Sequence, residues 1–388
     1  MFVIYTSLMF EGFPQHRDPD ASFATTRSTE TNRAERISER EFFRNDFEIQ
    51  PALDAVASSR TFARNATTGA PVTFSPEEWL RHLYLVGKTG SGKSHSLKSM
   101  ALALIEAGET VIYMDPHGDD FKELKDAVPP PRIAKTDVMD VTDTQHPFSF
   151  NPLRGVSYDQ IPVVAAMQAE GIRDIWADAY SERMHSLVYN GLATLMEHPL
   201  TTLDDLPLLF YKFEGDAPHS IQRRQARLRD VKNPVTKRFW EYEFPTYPID
   251  APVAILSRIG QLLASPHASA ILKHRTSAFN LAAAIEDNHV VLINLSKGIV
   301  GNTPAAILGS FIISEIRRVA MARAAIPIGQ RRPVYLFIDE FQTFATLSLA
   351  QILSEARKYC RSASNPDPDR RVTAPSLPAL RCAARLQP

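Results

Sequence analysis

Cysteine is nearly absent from this chain. Of 388 residues only Cys360 and Cys382 carry a thiol, and both stand near the carboxyl end. Everything before them can hold neither a disulfide framework nor a thiolate metal site. Long apolar runs are missing too: no stretch of about 18 residues could form a membrane-spanning helix. The opening Met1 to Phe10 is apolar but short, and it lacks the basic start and small-residue cleavage site of a signal peptide. A cytoplasmic protein is therefore expected. Charge of one sign is lacking as well. The formal net charge is -1, so any grip on a polyanion must come from a local basic face or an oligomeric pore. What is present is an ordinary 44% of apolar residues, enough for a sizeable core. The length suits two or three domains, or one large α/β domain with an insertion.

One stretch organises the rest. Gly87-Lys88-Thr89-Gly90-Ser91-Gly92-Lys93-Ser94 fits the pattern G-x-x-x-x-G-K-[ST], the phosphate-binding loop known as the P-loop or Walker A motif. Glycines are needed there because backbone N–H groups curl around phosphate oxygens, and a Cβ would obstruct that approach. Lys93 is expected to reach the β- and γ-phosphates, and the Ser94 hydroxyl to ligate Mg2+. The flanks agree: His82 to Val86 reads as a short buried strand, while Leu97, Met100, Ala101 and Leu104 carry helical spacing over Ser94 to Glu106. A helix starting there aims its free N–H groups and its dipole at the phosphate. The chain is expected to bind a nucleoside triphosphate.

A second buried strand, Thr110 to Asp115, follows the helix stop at Gly108 and runs into Asp115-Pro116-His117-Gly118-Asp119. A carboxylate and an imidazole at the carboxyl end of a core strand stand where α/β sheets hold ligands, although a plain Pro-Gly turn reads the same way. Ile133 to Val141 is a third extended run. From Ile161 to Ile285 helical spacing dominates, as in Ile172, Ile175, Trp176 and Ala179, and the segment reads as an all-helical insertion. Within it Arg223, Arg224, Arg227, Arg229 and Lys232 form a basic helix face, which suits either DNA phosphates or plain solvent.

The core resumes with the strand His289 to Ser296. A long helix then runs from a Thr303 cap to about Ala325. Pro333 to Glu340 is an apolar strand ending in paired acids, a Walker B signature. Asp339 is expected to hold the Mg2+ water shell, and Glu340 to act as general base on the attacking water. Together with Lys93, Glu340 is the expected catalytic pair. The helix from Leu347 to Tyr359 is strongly patterned. Beyond it, Arg361 to Pro388 holds five prolines in 28 residues and no periodicity, and reads as a disordered or out-of-frame tail.

Several motifs together resemble the HerA/FtsK superfamily of ATPases, and within it the coupling ATPases of type IV secretion and conjugative DNA transfer. They are RHLYLVGKTGSGKS (81–94), YMDPHGDD (113–120), FNPL (150–153), KRFWEYEF (237–244), VVLINLSKG (290–298), YLFIDEFQTF (335–344) and LSEARKY (353–359). The resemblance implies an α/β fold: a RecA-like, mainly parallel sheet flanked by helices, with an all-helical insertion. The corresponding divisions are a leader at 1–75, a nucleotide-binding core at 76–155 and 286–359, an insertion at 156–285, and a tail at 360–388. It also implies ATP and Mg2+ as cofactors, a hexameric ring, DNA in its pore, and secretion-machine components at the inner membrane as partners. Gly87 to Ser94, Asp115 and His117 carry over as nucleotide-site residues, Ser94 and Asp339 as metal-site residues. Arg317, Arg318 and Arg323 are candidates for an arginine finger acting in trans. In the family a further strand follows SEARKY and lies between the P-loop and Walker B strands; here only the Arg/Pro-rich tail follows, so a gap in the sheet is expected. Two other readings stay open: an ATPase driving secretion without DNA in its pore, and a nucleotide-binding protein without turnover.

Overall fold

The computed structural model of the chain describes residues 2–8, 47–48, 61–65, 68, 71–73, 83–87, 92–177, 180–210, 218–327, 331–340 and 343. The helix expected at 347–359, both cysteines and the tail lie outside these residues. The nine strands are β1 (Phe2–Leu8), β2 (Phe47–Glu48), β3 (Thr61–Asn65), β4 (Pro71–Thr73), β5 (Leu83–Gly87), β6 (Thr110–Asp115), β7 (Thr136–Asp140), β8 (Val290–Asn294) and β9 (Val334–Ile338) among the described residues. Helices of seven residues or more are α1 (Lys93–Glu106), α2 (Asp119–Asp126), α3 (Ile161–Ile175), α4 (Glu182–Met196), α5 (Pro218–Arg229), α6 (Val253–Ala264), α7 (Pro266–Leu272) and α8 (Asn302–Ala322).

Six strands form one sheet in the order β5-β1-β9-β6-β8-β7, and all its pairings are parallel. The class is the α/β class the sequence implies. Parallel strands covered on both faces should read as unbroken apolar runs, and Val111-Ile112-Tyr113-Met114, Val290-Val291-Leu292-Ile293 and Val334 to Ile338 do so. Their side chains alternate between two cores. Ile112, Met114, Val291, Ile293, Val334, Leu336 and Ile338 join the larger cluster with the helical segment. Val111, Tyr113, Val290, Leu292, Tyr335 and Phe337 join the smaller one, under α1 and α2. Tyr113 and Phe337 stack there with centroids 6.1 Å apart. β2, β3 and β4 make a separate antiparallel sheet.

The expected gap is filled. β1 lies between β5 and β9, pairing Ile4 with Leu83 on one side and with Phe337 on the other. Residues 2–8, read from sequence as part of a leader, are thus a central strand. Pairing of this kind is written in backbone hydrogen bonds between segments far apart in the chain, and no local pattern reports it. The long helix also departs slightly from expectation. It starts at Asn302 after Gly301, whose φ of 97° turns the chain, and no side chain caps it; Thr303 lies inside the first turn.

Among the described residues the insertion is helical from Tyr158 to Glu286, broken by turns, and its apolar residues share one continuous core with the sheet face below. Asn151 of FNPL fastens the joint. Its buried Nδ2 donates to the carbonyls of Thr201 (2.7 Å) and His274 (3.1 Å), and its Oδ1 accepts from the Leu153 N–H. KRFWEYEF forms a packed aromatic knot. Trp240 meets Phe239 and Phe244 edge-on, each at 5.0 Å, and its indole N–H donates to Thr194 Oγ1 at 2.8 Å. The basic face of α5 is partly spent inside the protein. Arg224 lies over the Phe244 ring and donates to the Leu209 carbonyl, while Arg223 and Arg227 flank Asp205.

Two outcomes follow from this packing. Removing the first eight residues strips one edge of both β5 and β9, and each backbone group left unpaired in the core costs about 1–3 kcal/mol. Thermal melting of the truncated chain should therefore show a large loss of stability or aggregation, and so should Ile4→Pro, since proline cannot donate to a central ladder. An unchanged melt for both variants would remove β1 from the sheet. Trp240→Ala should cost about 3–5 kcal/mol, the usual range for a buried Trp truncation, measured by denaturant unfolding.

Candidate functional site

The carboxyl ends of β5, β1, β9, β6 and β8 face the same way, and the expected site residues gather along that edge. Gly87 is the last residue of β5. Lys88 to Ser91 lie outside the described residues. Gly92 precedes α1 with φ 83°, a left-handed conformation that a glycine adopts without strain. Lys93 and Ser94 then form the first turn of α1, and Ser96 N–H closes that turn on the Gly92 carbonyl at 2.8 Å. Ser94 Oγ donates to Asp339 Oδ2 at 2.9 Å. The loop and the acid at the end of β9, 245 positions apart in sequence, thus touch. A hydroxyl and a carboxylate side by side are hard oxygen donors of the kind Mg2+ takes along with phosphate oxygens and water.

Glu340 follows in a left-handed conformation, φ 43°, of a sort that costs a non-glycine residue about 1–3 kcal/mol and persists only where surrounding contacts enforce it. Those contacts are present. Its N–H donates to Asp339 Oδ1 at 2.9 Å, and its carbonyl accepts from Thr343 N–H at 2.8 Å. Its Oε2 meets Lys297 Nζ at 2.6 Å and His117 Nε2 at 2.8 Å. Burial alone would raise the Glu340 pKa, but the contacts to Lys297 and His117 outweigh it and hold the carboxyl below the usual range.

The DPHG turn is built around Asp115. This carboxylate is buried, and it accepts from His117 N–H at 2.7 Å and from Phe121 N–H at 2.8 Å. Asp115 therefore holds the turn and the start of α2. The His117 ring reaches Glu340. Gly118, at φ 97°, admits no side chain: a Cβ would come within 2.4 Å of Ser296 Oγ and 2.8 Å of Asn294 Oδ1. This close approach knits the ends of β6 and β8. Leu295 N–H donates to the Asp115 carbonyl at 2.9 Å and Lys297 N–H to that of Pro116 at 2.7 Å. Asn294 continues the chain of contacts, donating to Asp140 Oδ1 at the end of β7 and accepting from Ser296 Oγ. Behind the site, Lys98 of α1 bonds Asp120 and Glu123 of α2.

Lys297 was not among the site residues read from sequence. The usable signal was its position, just past the carboxyl end of a fully buried strand, where open α/β sheets place ligands. The three arginines proposed to act in trans are engaged within the chain. Arg317 is buried, Arg318 binds Glu315 through two contacts of 2.7 and 2.6 Å, and Arg323 donates to the Arg332 carbonyl. Among the described residues no cluster of three or more His, Cys, Asp and Glu side chains could hold a metal by itself, and no helix is long and apolar enough to cross a membrane.

Two solved structures of a coupling protein are similar to the chain. One is the bacterial conjugative coupling protein TrwBdeltaN70 in an unbound form, at 17% identity and TM-score 0.48, covering 75% of this chain and 62% of that one. The other is the plasmid coupling protein TrwB in complex with the non-hydrolysable GTP analogue GDPNP, at 16% and 0.44, covering 70% and 60%. The chain thus spans less than two thirds of the length of either. No curated protein sequence matches it. The family model described as the central domain of helicase HerA matches residues 63–297, which is more than half of the chain and runs from β3 through the helical insertion to Lys297. The chain belongs to the HerA central-domain family.

Proposed function

We propose that the chain is a Mg2+-dependent ATPase of the DNA-translocating kind, acting as an oligomeric ring, with Lys93 and Ser94 on the phosphates and the metal, Asp339 on the metal and Glu340 as the base. The observation that carries this reading is the contact between Ser94 and Asp339, which joins the glycine-rich loop to the paired acids. Mg2+ bound there would neutralise charge on the phosphates. Glu340 would accept a proton from the attacking water, and its depressed pKa keeps it ionised near neutral pH. The presence of β1 between β5 and β9 favours turnover over nucleotide binding alone, because it keeps loop and acids at a fixed spacing of two strands, roughly 10 Å. DNA as the moved substrate draws on the helicase description of the family and on the DPHG, IDEFQ and SEARKY motifs. Coupling to a secretion machine at the inner membrane draws on those motifs alone. Arg224 and Arg227 of α5 are engaged within the insertion, whereas Arg223, Arg229 and Lys232 stay exposed, so a DNA contact would draw on those three or on the ring's pore.

Calorimetry and turnover assays test the assignment together. Lys93→Ala should abolish measurable Mg-ATP binding. Asp339→Ala should chiefly remove the Mg2+ dependence. Glu340→Gln should keep ATP bound while turnover falls by about 100-fold or more, the scale of losing a general base. DNA added to the wild type should raise its hydrolysis rate; a rate indifferent to DNA favours an ATPase that drives secretion without it, and binding without hydrolysis favours a non-catalytic nucleotide-binding protein.

A further inference from the structure

Lys297 belongs to no part of the nucleotide-binding loop or the acid pair, yet its ammonium is 2.6 Å from the carboxylate expected to activate water. We propose that Lys297 is a positioning residue for hydrolysis, which together with His117 fixes the carboxylate of Glu340 in its working orientation. The proposal rests on the reading of Glu340 as the base.

Three observations carry it. First, Lys297 Nζ and His117 Nε2 converge on the same oxygen, Oε2. They arrive from the ends of two different strands, β8 and β6, while Glu340 hangs on a third, β9. A carboxylate held from two directions loses the rotation about its last torsion that is otherwise soft. Second, the backbone is bent to make this contact. Of four non-glycine residues with positive φ among the described residues, two are Glu340 itself and Ser296, directly before Lys297. Strained backbone of this sort gathers at functional sites because the fold must enforce it. Third, the two donors are locked to one another. Lys297 N–H donates to the Pro116 carbonyl, next to His117, and Gly118 packs against Ser296 where no Cβ could fit. The two donors therefore shift together or not at all.

A solvent-facing ion pair would look different. The side chains of Lys297 and Glu340 are only 23% and 21% exposed, and an exposed pair typically contributes little. Lys297 also leads through a helical turn, Lys297–Val300, into α8, which packs on α3 of the insertion. A movement of the helical layer would thus reach Glu340 through Lys297.

A double-mutant cycle in the full chain tests this. Lys297→Met should lower kcat for ATP hydrolysis by about 10- to 100-fold, the scale of misplacing a reacting group by an ångström or so. KM and the calorimetric Kd for Mg-ATP should stay within about 3-fold, because Lys297 acts on the water-activating group and not on the nucleotide. Lys297→Arg, which keeps the cation, should recover most of the rate. In a Glu340→Gln background Lys297→Met should cause no further loss, since residues acting through one another are not additive. Equal multiplicative losses in both backgrounds, an unchanged kcat in Lys297→Met, or a tenfold weaker Kd in that variant would each overturn the proposal, the last by making Lys297 a phosphate ligand. A wild type that binds Mg-ATP without hydrolysing it would overturn the reading of Glu340 as base, and this inference with it.

Discussion

Everything at the site depends on the ladder that joins β5, β1 and β9. β5 delivers the glycine-rich loop and β9 delivers Asp339 and Glu340. Neither strand pairs with the other, so their spacing is set by β1 alone. A parallel sheet has no hairpin to fix its register; here the two flanking ladders do it, and Ser94 meets Asp339 as a result. The remaining strands extend the platform outward, and α1 and α2 cover one face while the helical insertion covers the other. Loss of pairing at β1 would therefore be felt first as a loose site.

Along the carboxyl edge of the sheet polar groups form a nearly continuous series, from Asp140 through Asn294 and Ser296 to His117, Lys297 and Glu340. Each is held by a partner on a neighbouring strand. Such a network is costly if left incomplete and rigid when complete. It explains why a turn that could be read as a simple Pro-Gly bend carries a buried carboxylate: Asp115 cements the turn so that His117 points at Glu340. The acids and the lysine thus have fixed places relative to one another.

The insertion is less independent than its sequence suggests. Its residues share one core with the sheet, pinned by Asn151 below and knotted by Trp240 above. The family motifs FNPL and KRFWEYEF are accounted for by packing. Through α8 and the turn at Lys297, the same helical layer leads in the chain to the lysine that contacts Glu340.

The sequence alone determined the class of fold, the phosphate-loop strand and helix, the two-face burial of the core strands and the helical character of 161–285. All of these are local: glycine spacing, unbroken apolar runs and a 3.6-residue period are set by backbone sterics and by which faces must leave water. The paired acids after a buried strand were legible for the same reason. What only the tertiary structure decided are the pairings between distant segments. Phe2–Leu8 looked like a leader because a short apolar run carries no record of its partners, and it becomes a central strand because β5 and β9 leave one slot between them. The contacts of Asp115 with Phe121 and of Lys297 with Glu340 were not legible, because hydrogen-bond partners depend on which loops the sheet brings side by side. Arg224 and Arg227 looked like a basic surface, and they turned inward because a helix period says which residues share a face but not what that face meets.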